Sequence, residues 1–153
     1  MNATQITEQL EAIATDNKFE YSSYRLVDRW KDANVGAEAV EPVLEFMERN
    51  PEIDYGSPGP LVHFIESDFE AVRNQSHVYE KLVVQSVERK PTVHTVWLLN
   101  RLINAATEPA VRSSLLETMQ NALKNPAADA GAREVIQSFL DFQAGKDAAQ
   151  SAD

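Results

Sequence analysis

Two histidine–carboxylate pairs have the spacing for shared chemistry: His63 with Glu66 in His63-Phe64-Ile65-Glu66, and His77 with Glu80 in His77-Val78-Tyr79-Glu80. Residues three apart meet on one helix face, so each pair sets an imidazole beside a carboxylate. Four such groups are donors of the kind a divalent metal takes, and a metal-dependent hydrolase would be built on them. The order argues against it. Di-metal helical bundles use Glu-x-x-His with further lone glutamates on partner helices, and His-Glu-x-x-His is also missing, so the pairs read as ordinary helix-surface contacts with no metal. Nucleophilic chemistry has no better setting, since Ser57, Ser76 and Ser86 lie in no Gly-x-Ser-x-Gly elbow. Gly56-Ser57-Pro58-Gly59 is followed by no lysine and holds a proline that lacks an amide donor, which excludes a phosphate loop. The expectation is a protein that is not an enzyme and carries no cofactor.

Function is therefore sought in the charge of the surface. The chain has 153 residues and a formal net charge of −10. From Gly36 to Glu70 run nine carboxylates (Glu38, Glu41, Glu45, Glu48, Glu52, Asp54, Glu66, Asp68, Glu70) against the single base Arg49. From Ala71 to Asn104 the balance reverses, with Arg73, Lys81, Arg89, Lys90 and Arg101 against Glu80 and Glu88. Such a lopsided field attracts a cationic partner, repels phosphate backbones, and acts on association rate rather than on fold. Nucleic-acid binding, which needs Lys and Arg to neutralise phosphates, is disfavoured.

Composition sets the remaining bounds. With 43% hydrophobic residues the chain can bury a core of single-domain size. Cysteine is absent, which removes disulfides and zinc-thiolate sites and suits a reducing compartment. Met1 to Leu10 is too polar for a secretory signal, and Val96 to Leu99 is far shorter than the roughly 20 apolar residues that cross a bilayer. The reading is a cytoplasmic protein without a membrane partner.

The elements that position these side chains follow from apolar spacing. Apolar residues recur at three and four positions nearly everywhere and never alternate for long, so the fold class is all-α. The stripes are Ile6, Leu10 and Ile13; Tyr21, Tyr24, Val27 and Trp30; Val40, Val43, Leu44 and Met47; Leu61, Val62, Phe64 and Ile65; Val78, Tyr79, Leu82, Val83 and Val87; Val93, Val96, Trp97, Leu99 and Ile103; Val111, Leu115, Met119 and Leu123; and Val135, Ile136, Phe139 and Leu140. Pro60 suits a first helical turn and Thr92 a helix cap, while Glu108-Pro109 opens a further helix. Three helix ends look alike, before Pro51, Pro91 and Pro126, with the prolines 40 and 35 residues apart. That period is near those of helical solenoids, so the chain reads as antiparallel helical hairpins stacked in series. One helical domain spans residues 1–142. Residues 143–153 have no large apolar anchor and are expected to fray.

On this frame Lys90 to Arg101 is the most informative helix, because His94, Asn100 and Arg101 interrupt an apolar surface. Trp97 reads as core. His63 and His94 occupy comparable second helices and are expected on one face.

Tyr55 to Glu66 (Tyr55-Gly56-Ser57-Pro58-Gly59-Pro60-Leu61-Val62-His63-Phe64-Ile65-Glu66) and Lys90 to Arg101 resemble small helical proteins encoded beside bacterial polymorphic toxins. These include immunity proteins of contact-dependent growth inhibition systems, some with HEAT-like architecture. The resemblance covers the middle half of the chain and implies a HEAT-like short solenoid that binds one toxin domain and blocks it without catalysis. Many such toxin domains are nucleases with basic clefts, which an acidic helical surface would occupy. The expected contacts are Asp54, Glu66, Asp68 and Glu70, with Tyr55 as a rigid aromatic and His63, His94, Asn100 and Arg101 extending the patch. The alternative is an acidic helical secretion or assembly chaperone that holds a client protein.

Overall fold

The computed structural model describes residues 1–67 and 78–151. Among them every regular element is a helix and no strand occurs, as the apolar spacing requires. Two compact units divide the chain, Met1–Leu82 and Val83–Asp153, where the sequence suggested a single domain over 1–142.

In the first unit, α1 (Ala3–Glu11) starts at Asn2, whose Oδ1 accepts from the Gln5 amide at 2.9 Å while Gln5 Oε1 accepts from the Asn2 amide at 3.0 Å. This reciprocal pair satisfies two amides that a helix start leaves open. Next come α2 (Phe19–Asp32), a 3-10 turn (Ala37–Ala39), α3 (Val40–Arg49) and α4 (Pro60–Ile65). At the end of α3, Asn50 turns its amide back to the Phe46 carbonyl at 3.0 Å, and Pro51 then prevents continuation. Pro60 opens α4 as expected, and Leu61, Val62, Phe64 and Ile65 are all buried.

Alternate helices pack together: α1 on α3 and α2 on α4, with α3 also meeting α4. This is the neighbour relation that stacked helical hairpins use. Trp30 is fully buried, its ring 5.4 Å from that of Phe64 and its Nε1 donating to Gln9 Oε1 at 2.7 Å. A buried indole needs such an acceptor.

The α2 register corrects one expectation. Phe19, Ser23, Leu26, Val27 and Trp30 face the core, whereas Tyr21 and Tyr24 are 62% and 52% exposed. At about 100° per residue, Phe19, Leu26 and Trp30 share one direction and Tyr21 lies nearly opposite. The serine at position 23 conceals this register, because it is a fully buried polar residue whose hydroxyl is satisfied by the Glu20 carbonyl at 2.8 Å.

The boundary between the units falls within α5 (Val78–Arg89). In the second unit, α6 (Val93–Ala105), α7 (Pro109–Leu123) and α8 (Ala130–Ser151) each pack on the other two. Thr92 caps α6 as expected, its hydroxyl accepting from the Thr95 amide at 3.1 Å and Thr95 Oγ1 accepting from the Thr92 amide at 3.1 Å. Val96, Leu98, Leu99, Ile103, Leu115, Met119 and Ile136 are buried on these three helices.

The C-terminal segment is a second correction. Residues from Gln143 onward, expected to fray, continue α8 as far as Ser151. They are held by polar rather than apolar anchors. Gln143 is 1% exposed, donates to Asn100 Oδ1 and Asn104 Oδ1 at 3.0 and 2.8 Å, and accepts from Arg112 Nη2 at 2.7 Å. Arg112 also pairs with Asp147 at 3.0 Å.

Candidate functional site

The expected contact residues separate into two sets. Asp54, Tyr55, His63 and Glu66 belong to the first unit, and His94, Asn100 and Arg101 to the second. His63 and His94 therefore lie in different units. Asp68 and Glu70 lie outside the described residues.

Asp54 is exposed, as a contact residue must be, and its Oδ1 accepts from the Gly56 amide at 2.9 Å. His63 is exposed on α4, and Glu66, half-buried, follows that helix as its C-terminal cap. Tyr55 is different. It is 1% exposed, meets Phe19 edge-on at 5.4 Å, and donates its hydroxyl to the Asn50 carbonyl at 2.7 Å. Burial, helped by the Glu52 and Glu11 carboxylates, pushes the phenol well above its usual range. Tyr55 is thus a core residue that anchors the α3–α4 loop, not a surface contact.

Asn100 is corrected in the same way. It is 7% exposed and its Oδ1 serves Gln143, so it joins α6 to α8 inside the second unit. His94 and Arg101 are half-buried and flank Trp97 on α6: the His94 and Trp97 rings are 5.2 Å apart, and Arg101 Cζ stands 5.2 Å from the Trp97 ring centroid. Trp97 is itself only half-buried. A guanidinium on an indole is a cation–π contact, which fixes these three side chains to one another.

Of the acids between Gly36 and Glu66, Glu38, Glu41, Glu52 and Asp54 are exposed, Glu45 and Glu66 are half-buried and Glu48 is 9% exposed. The division into units sharpens the charge map. The residues of Met1–Leu82 include sixteen carboxylates against seven bases, a formal −9, and Val83–Asp153 eight against seven, a formal −1. Nearly all the net charge therefore belongs to the sequence of the first unit.

That unit also holds a groove of about 470 Å³ between the α1–α2 connection and the α3–α4 loop. Asp16, Phe19, Glu20, Tyr21, Ile53 and Asp54 are among its lining. Asp16 is held by the Ser22 hydroxyl and the Lys18 amide, which keep its carboxyl below the usual range. Glu20 reaches toward the loop, where a Cβ on Gly56 would meet its Oε1 at 3.3 Å. The apolar spacing puts Tyr21 on the stripe of α2, and the sequence gives no signal for Asp16 or Glu20. The signal that finds Tyr21 is the Phe19-Leu26-Trp30 register.

In the second unit a groove of about 620 Å³ lies where α6 ends and α7 begins, with Asn104, Glu108, Arg112, Lys146 and Asp147 in its wall. Its charges are mixed and Arg112 is committed to Asp147 and Gln143. Among the described residues no three His, Asp or Glu side chains are gathered as a metal would need, and His77 lies outside them. No helix among the described residues is long and apolar enough to cross a membrane.

Comparison of the chain with family models, curated proteins and solved structures finds no match.

Proposed function

We propose that this chain is a non-enzymatic immunity protein, which binds and neutralises a cognate toxin domain with a basic surface, a nuclease. The observation that carries this reading is the confinement of −9 of the −10 net charge to the unit Met1–Leu82, with Glu38, Glu41, Glu52 and Asp54 exposed on it. A field of one sign on a rigid support steers an oppositely charged partner and raises its association rate at low salt. A nuclease cleft built to hold phosphates is such a partner. The resemblance of Tyr55 to Glu66 and Lys90 to Arg101 to helical immunity proteins supports the same reading.

The test is to mix the purified chain with the toxin domain encoded beside it. The expected result is a stoichiometric complex in which toxin activity is lost and whose affinity falls as salt rises. No complex at low salt would falsify the proposal.

A further inference from the structure

The groove beside α2 has a feature that the acids alone do not supply. Tyr21 forms part of its wall, and Tyr24 stands one turn along the same helix, both more than half exposed. Exposed apolar residues scattered singly are normal on a protein surface. Tyr21 and Tyr24 are neighbours on the solvent side of α2, opposite Phe19, Leu26 and Trp30, with Tyr21 in the groove wall and Tyr24 just outside the lining.

In the groove beside Tyr21, two carboxylates are already fixed in place. Asp16 is held by Ser22 and the Lys18 amide, and Asp54 by the Gly56 amide. Glu20 reaches the loop from the same turn as Tyr21. Against these three acids the lining has one base, Lys18.

We infer that this groove is a docking point for an arginine side chain presented by the partner protein. Its volume, about 470 Å³, gives ample space for one long side chain. Guanidinium is planar and weakly hydrated, stacks on aromatic faces and donates to carboxylates in two directions, whereas lysine's ammonium is compact and strongly hydrated. Tyrosine offers a rigid face at small cost in side-chain freedom, and tyrosine with arginine is a recurrent pair at interface centres. Charge attracts the partner, and the tyrosines select which cation enters. The inference rests on the proposed function in taking the first unit as the surface that meets a basic protein.

The test titrates the full 15N-labelled chain at low salt with two peptides of equal charge, acetyl-Gly-Arg-Gly-Arg-Gly-amide and its lysine counterpart. Saturable amide shifts are expected at residues 16–24 and 53–54, with the arginine peptide bound about threefold more tightly. Replacing both tyrosines (Tyr21→Ala with Tyr24→Ala) should weaken the arginine peptide about tenfold and abolish the preference, with helix content and melting unchanged. Equal affinity for the two peptides, wild-type affinity in the tyrosine variant, or no saturable shift in the groove overturns the inference. Toxin capture separates the two readings. If capture survives in the tyrosine variant, only the arginine pocket is lost, and if the wild-type chain captures no toxin, the immunity reading itself fails.

Discussion

The side-chain amide of Gln143 donates to Asn100 Oδ1 at 3.0 Å, joining α8 to α6 across 43 residues of chain. The same side chain serves Asn104 and accepts from Arg112, so one buried glutamine satisfies three partners. Truncating it leaves the buried Asn100 acceptor without its donor and Arg112 with only Asp147, which costs more than the bonds themselves contribute. Gln143→Ala should therefore destabilise the chain by about 3 kcal/mol in chemical denaturation. Amides beyond residue 143 should also exchange faster in the variant. A loss below about 0.5 kcal/mol would mean that the C-terminal part of α8 is not held by this network.

Tyr55 makes stability depend on alkaline pH. Its folded-state pKa is raised by burial, so the stabilisation is complete below the unfolded value near pH 10 and is lost as pH rises above it. Tyr55→Phe removes this ionisation and should flatten the alkaline limb relative to wild type. At neutral pH the variant should be weaker by about 1 kcal/mol, since the Asn50 carbonyl loses the shorter of its two hydrogen bonds and keeps only that from the Ile53 amide. Parallel alkaline limbs in denaturation against pH would contradict this assignment.

Two glycines should respond to alanine in opposite directions. A Cβ at Gly59 would fall 1.7 Å from the Tyr55 carbonyl oxygen, in a backbone with φ of +85°. Gly59→Ala should cost about 3 kcal/mol and displace the loop that carries Asp54. At Gly145, inside α8, nothing lies within 4 Å of a Cβ. Gly145→Ala should stabilise by about 0.5–1 kcal/mol through helix propensity. Thermal melts of the two variants, compared with wild type, check both signs.

Much of the fold was legible because local rules decide it. Pro51, Pro91 and Pro126 stop helices, Thr92 caps one and Pro60 opens another, each through chemistry contained within a few residues. What escaped were residues whose roles depend on distant partners. Tyr55 looks like a loop aromatic until Phe19, Phe46 and the Asn50 carbonyl are around it. Gln143 lacks apolar character, yet Asn100, Asn104 and Arg112 bury it. Asn100 escapes for the same reason: a polar side chain reads as exposed unless its partner, 43 residues away, is known. In α2, the buried Ser23 hid the core register and lent Tyr21 and Tyr24 to the wrong face.

The central claim is that the acidity of the first unit captures a basic partner. The most direct measurement is the association rate with the toxin domain of the proposed pairing as a function of salt. It compares wild type with a variant neutralised at Glu38→Gln, Glu41→Gln, Glu52→Gln and Asp54→Asn, and with a control neutralised at Glu117→Gln, Glu134→Gln and Asp141→Asn in the second unit. The account predicts about a tenfold slower rate at low salt and a flattened salt dependence for the first variant, with the control close to wild type. Identical rates and salt slopes for all three proteins would contradict it.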